Sequence, residues 1–468
     1  MKPVNAMNAM QNKRNFPLKM IPAALALSIL ACACQRELPP AASTMDAPAP
    51  APLALVLALH AGDGAIDRDI RRCQEQIRHQ SHPEATLERL GWLFVAKARE
   101  SFDPGFYKLA EQSAAAIERR DPRSSDALLL RGHALHAMHR FHEAEPMARE
   151  LASRRGLALD YGLLGDVLAD LGRVGEAADA YQQMIDLKPD PPGYARAAHI
   201  RWLRGDLAGA LELYRMAARG ASAHDPESAA WLHARLALCL WQGGELAEAE
   251  RGIEIALRFQ PTYAPALLLR GRMLLSAGKP EEAIPPLREA ARLNPLPDYH
   301  WALAEALRAV HRTEEAEKVT QLLTASGAGA DPRTFALYLA TRQERPELAV
   351  RLARRELQDR SDVLTHDALA WALSAAGQHA EARREMALAL AEGTKDARLF
   401  FHAAAIAARA GQAQEALDWA SRAAPFQSLL LPSEREQLQT AAHGTGHAQQ
   451  EPGRTPGRFA STLSPSGK

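Results

Sequence analysis

Four histidines crowd the stretch Gly132-His133-Ala-Leu-His136-Ala-Met-His139-Arg-Phe-His142. Imidazoles at this density could ligate a transition metal, with Asp166, Asp170 or His199 supplying further donors. Helical geometry argues against one ion gathering all four. A spacing of three puts His133 and His136 on one face, whereas His139 falls in a turn and His142 opens the next helix. No cysteine joins them and no HExxH pair is present. Two readings stand: a metal or small-ligand site centred on His133, His136, Asp166, Asp170 and His199, or a histidine-rich rim whose contacts respond to pH. Catalytic chemistry finds less support. There is no glycine-rich phosphate loop, no G-x-S-x-G elbow and no cysteine placed with a histidine in a recognisable signature. Glu281-Glu282 and Glu314-Glu315 read as solvated helix starts, and Arg354-Arg355 and Arg383-Arg384 as short basic faces too sparse for nucleic acid. The balance of 56 basic against 56 acidic residues removes any global field toward nucleic acid. No enzyme and no cofactor are expected.

The elements that must position these residues are helices. At 468 residues the chain exceeds one ordinary core, and with 6% aromatics and no long apolar–polar alternation it predicts an all-α protein. Its clearest unit is Tyr161–Pro189: a helix, a tight turn at Leu171-Gly172-Arg173, and a second helix closing at Pro189. Aligned on a second-helix alanine, the unit returns at Ala144, Ala177, Ala210, Ala249, Ala283, Ala316, Ala349, Ala382 and Ala416, at gaps of 33 to 39 residues. An acidic residue often precedes that alanine (Glu143, Glu176, Glu248, Glu282, Glu315, Glu381, Glu415), near the positive end of the second helix. Twelve residues before the alanine lies another small one: Gly132, Gly165, Ala198, Ala237, Gly271, Ala304, Ala370 or Ala404. These two positions let the helices of a hairpin approach closely. Glycine falls in the turn at 172, 205, 278, 377 and 411, where a positive φ costs it little. Pro285-Pro286 should kink or delay its helix, and the 39-residue gap implies an insertion at Arg219–Pro226. A hairpin that cannot bury its own apolar face implies a stack in which neighbouring repeats touch.

These spacings resemble the tetratricopeptide repeat, whose W-x2-L-G-x2-Y … A-x3-F … P pattern is matched closely by Leu164-Gly165, Leu168, Ala177, Tyr181 and Pro189. The resemblance implies a right-handed α-solenoid of stacked helix-turn-helix repeats, about nine of them. It also implies that first helices line a concave surface where ligands bind. The family's groove positions select His133, His136, Asp166, Asp170, His199, Trp202, Trp231, Trp241, Arg272, Trp301, Glu305, Arg308, Tyr338 and Trp371. Five of the seven tryptophans fall in this set, and aromatic rings beside a few charges are what binding surfaces enrich. The competing explanation is that each tryptophan packs against the next hairpin.

Residues 1–31 read as a signal peptide, with Lys2, Lys13, Arg14 and Lys19 ahead of the apolar run Met20 to Ala31. Ile29-Leu30-Ala31-Cys32 resembles the lipobox of bacterial lipoproteins, so Cys32 (alternatively Cys34) is the expected lipidation site. The expected destination is the periplasmic side of the cell envelope, anchored at the outer membrane by that lipid alone, or else a soluble periplasmic or secreted state. The remaining organisation predicted is a Pro/Ala-rich tether over 32–52, a helical cap and degenerate first hairpin over 53–122, the repeat array over 123–425, and a helix remnant with a disordered tail over 426–468. The function expected is a non-enzymatic scaffold or adaptor whose groove binds a protein or peptide partner.

Overall fold

The computed structural model describes residues 51–443. The signal span 1–31, Cys32, Cys34, most of the tether and the tail beyond His443 lie outside them. Every regular element described is helical. A short α1 (Pro52–Val56) and α2 (Ala65–His79) precede the hairpin of α3 (Glu84–Ser101) and α4 (Gly105–Glu118). Nine hairpins follow: α5 (Ser125–Ala137) with α6 (Phe141–Arg154), α7 (Ala158–Asp170) with α8 (Val174–Leu187), α9 (Pro191–Leu203) with α10 (Leu207–Arg219), and α11 (Pro226–Gln242) with α12 (Leu246–Phe259). The series continues through α13 (Ala264–Ser276) with α14 (Pro280–Leu293), α15 (Pro297–Ala309) with α16 (Thr313–Ala330), and α17 (Pro332–Arg342) with α18 (Pro346–Asp359). It ends with α19 (Val363–Ala375) and α20 (His379–Leu390), then α21 (Ala397–Arg409) and α22 (Ala413–Ala423). A 3-10 turn (Ala424–Leu429) leads to α23 (Pro432–His443).

Local chemistry sets the boundaries. Asp190, Asp225, Asp331, Asp362 and Asp396 accept a backbone N–H at the start of a first helix, filling donors that have no partner within the helix. All nine second-helix alanines have 0% exposure. Their partners are as tight: a Cβ on Gly165 would stand 2.3 Å from the Tyr181 ring, and one on Gly271 2.3 Å from Leu287. In five hairpins the acidic residue before the alanine has a second role. Glu176, Glu248, Glu315, Glu381 and Glu415 accept from an arginine of the preceding second helix, Arg149, Arg215, Arg288, Arg354 and Arg383, at 2.8–3.4 Å. This ladder of solvated pairs contributes less than about 1 kcal/mol per rung.

Two expectations need correction, and the turns add a finding of their own. Helix α14 runs unbroken through Pro285 and Pro286. The carbonyls that lose their donors belong to Glu281 and Glu282, both exposed, so water can replace the missing bonds. The left-handed turn residue is not always glycine: His139 (φ 58°), His311 (φ 59°) and Gln343 (φ 53°) adopt it where other hairpins have Gly172, Gly205, Gly278, Gly377 and Gly411. Contacts also reach beyond neighbouring repeats. Leu203, at the end of α9, accepts from the Thr394 hydroxyl (2.5 Å), His142 meets the carbonyl of Gln358 (3.0 Å), and Gln242 donates to the carbonyl of Lys395. The curving stack thus closes on itself, bringing the turns of its second and third hairpins against loops at 361 and 393.

Candidate binding groove

The first helices α3, α5 and α7 turn a row of side chains toward one hollow of about 510 Å3, lined by Trp92, Leu129 and Leu159 with Leu157 and Leu187 at its edge. Leu157, Leu159 and Leu187 are each more than half exposed (52%, 55% and 55%). Apolar groups so open to water, gathered at one place, mark a surface suited to binding. The hollow continues into a polar wall through Trp92, whose ring meets His133 edge-on at 5.3 Å.

That wall holds the histidines and aspartates singled out by sequence. Asp166 accepts from Arg196 Nε and Nη2 (2.7 and 2.6 Å) and from the Tyr181 hydroxyl (2.8 Å). Burial alone would raise its pKa, but the Arg196 guanidinium and these hydrogen bonds hold the carboxyl at about 2. His136 meets Asp170 at 2.9 Å. Burial disfavours its charged ring, yet the Asp170 hydrogen bond and the charges of Asp166 and Asp170 lift it above the usual histidine range. His133 and His199 gain no such bond, and burial pushes both down to about 4. His199 stacks on Trp202 (5.7 Å), and Trp202 donates to Gln242 (2.7 Å).

The metal alternative finds no support in this arrangement. Among the described residues no group of three metal-capable side chains converges. Asp166 is committed to Arg196 and Tyr181, His136 to Asp170, and His199 to an aromatic stack.

The distal half of the predicted groove is filled. Trp241, Trp301, Glu305, Tyr338 and Trp371 are buried, so they pack rather than stand open to a ligand. Trp301 meets Tyr338 edge-on (5.6 Å) beneath the Arg398 guanidinium (5.2 Å). Trp371 donates to Thr341 (2.9 Å) and lies between His402 and Arg409 (each 4.4 Å). Arg308 donates to Thr320 (2.8 Å), and Trp231 remains exposed. What covers this half is the chain itself. Arg272 donates to the carbonyl of Leu429 (2.7 Å), Glu305 accepts from Ser433 (2.7 Å), and Gln437 donates to the carbonyl of Thr341 (2.9 Å). Sequence offsets place a residue on its own helix; they carry no information about a segment returning from about a hundred residues or more later. The offsets also passed over Trp92 and Leu187, one on the degenerate hairpin and the other at a second-helix end.

A family model described as tetratricopeptide repeat matches residues 129–192 and 268–331. No curated protein matches the sequence. Among solved structures, the chain is similar to one titled "Crystal structure of APC/C hetero-tetramer Cut9-Hcn1", at 16% identity over 69% of this chain and 63% of that one, TM-score 0.44. It thus spans under two thirds of that protein's length. It is also similar to yeast Tom70 (14% identity, 82% of this chain and 92% of that one, TM-score 0.33) and to MamA (18%, 34% and 90%, TM-score 0.27). Two segments of this chain thus match the tetratricopeptide repeat model, within an all-helical solenoid of nine hairpins, eight of which carry the pair of small residues expected of that repeat.

Proposed function

We propose that this protein is a non-enzymatic adaptor that docks a segment of a partner protein in the proximal half of its concave face. The fold is a scaffold for protein–protein interaction, and one observation selects this part of it. Trp92, Leu129 and Leu159, from three successive first helices, meet at one hollow rimmed by half-exposed leucines, whereas the distal half is covered. Anchoring aromatic and aliphatic groups inside a rim of mixed charge, Glu88 and Asp126 with Arg155 and Lys188, suit an apolar segment of a partner protein. The basic N-terminal start, the apolar run and Ile29-Leu30-Ala31-Cys32 support an envelope location with the lipid on Cys32, or on Cys34. Among the described residues no helix is long and apolar enough to cross a membrane.

Leu159→Asp/Leu187→Asp tests the docking site, since both side chains are exposed and their loss leaves the core intact. Pull-downs from envelope extracts should lose the principal partner with this variant. Identical partner sets from variant and wild type would overturn the assignment. Mass spectrometry of the mature N-terminus separates lipidation at Cys32 from Cys34 and from plain cleavage.

A further inference from the structure

The stretch after the last hairpin departs from the repeat. In place of another hairpin, a 3-10 turn carries Leu429, Leu430 and Leu431 into the concave face, and α23 follows with Pro432, Ser433 and Glu434 in its first turn. All three leucines are buried. Four first helices grip this stretch through polar contacts. Arg272 of α13 takes a backbone carbonyl, Glu305 of α15 takes Ser433, Thr341 of α17 offers a carbonyl to Gln437, and Arg398 of α21 holds Glu434 (2.7 Å). These are contacts that a solenoid groove makes with a bound peptide: apolar anchors, main-chain hydrogen bonds and one charge pair.

The fit is incomplete. Nη2 of Arg398 and Nε of Arg272 are buried and find no acceptor among the described residues. Unpaired buried donors cost stability that a better-matched occupant would recover. A polar cleft of about 520 Å3, lined by Ser276, Gln427, Arg435 and Glu436, runs beside the stretch and gives an incoming segment access to it.

We propose that the distal concave face is a second binding site. Its occupant is a partner-protein segment made of a short aliphatic run, a helix-opening Pro-Ser and a closely following carboxylate, and residues 426–438 hold that place until displaced. This rests on the reading that the concave face takes protein segments. The unpaired arginine donors predict that the favoured partner carries one more acceptor than the resident stretch, such as a second carboxylate beside the first.

The test uses the full chain and a labelled synthetic peptide of residues 425–443. Leu430→Asp/Leu431→Asp drives the resident stretch out by burying charge where aliphatics sat. By fluorescence anisotropy this variant should bind the peptide about tenfold or more tighter than wild type, whose site is already filled. A peptide with Glu434→Ala should bind more weakly. A variant with wild-type helicity that binds no peptide would overturn the proposal. So would concentration-dependent dimerisation of the variant in sedimentation, because the occupant would then be a second copy. Should the variant fail to fold, hydrogen exchange on wild type decides. Amides of 427–441 should exchange about tenfold faster than those of α21 and α22, and equal protection would refute displacement. No envelope partner enters this experiment, so its failure is distinguishable from failure of the Leu159 and Leu187 pull-down.

Discussion

Replacing Gly165 with alanine should destabilise the second hairpin, although alanine is the better helix former by about 1 kcal/mol. The new Cβ would lie 2.3 and 2.5 Å from Cε1 and Cδ1 of Tyr181, against about 3.5–4.0 Å for ordinary carbon contact. Tyr181 is buried, and its hydroxyl donates to Asp166 at 2.8 Å. Moving the ring by an ångström or more therefore strains the core and breaks that bond. Overpacking of this kind costs about 1–3 kcal/mol, and a lost buried hydrogen bond adds about 1 kcal/mol. After the propensity gain, a net loss of about 1–3 kcal/mol remains. Gly175, in the first turn of α8 just after the same bend, supplies the control. Nothing lies within 4 Å of a Cβ there and the position is exposed, so Gly175→Ala should stabilise by about 0.5 kcal/mol. Urea unfolding followed by circular dichroism gives the order of stability. Peptide-resolved hydrogen exchange over 158–187 localises the effect, because a linear array need not unfold in one step. A Gly165→Ala protein as stable as Gly175→Ala would refute the close-contact account of the hairpin.

Acidification should loosen the proximal repeats. Burial lowers His133 and His199 from 6.5 to about 4, so the stability they contribute is full above pH 6.5 and is lost as pH falls toward 4. By linkage each loses about 2 kcal/mol between pH 7 and 5. His136 is shifted the other way, so its pair with Asp170 contributes fully below 6.5, fades as pH rises through its folded value, and offsets part of the loss. His199→Phe should flatten the fall in urea midpoint from pH 7 to 5 while keeping the stack on Trp202, and an unchanged slope would count against the assignment. His311 holds φ 59° with an exposed side chain. His311→Gly should therefore raise stability by about 1 kcal/mol, read as a higher thermal midpoint, with no change arguing that this turn is unstrained.

The repeat itself was legible because its determinants are local. Gly165 and Tyr181, or Gly271 and Leu287, meet within one hairpin, and the alanine series marks the same close contact nine times. The groove was legible only in part. Trp301 and Trp371 occupy positions that face inward on their own helices, which is all that spacing can report, and both are buried. Trp92 escaped notice because its hairpin carries a degraded pattern. Glycine is only the least costly residue for the left-handed turn, so His139, His311 and Gln343 gave no glycine to find.

The sequence by itself determined the helical hairpins, their small-residue contacts and the order in which they stack. Each of these depends on residues within one repeat or the next. Only the tertiary structure decided that the turns at Gly172 and Gly205 meet the loops at 361 and 393, and that residues 426–438 cover the distal groove while the proximal hollow stays open. Those outcomes come from a small rotation accumulated over many repeats, a sum that no single repeat encodes.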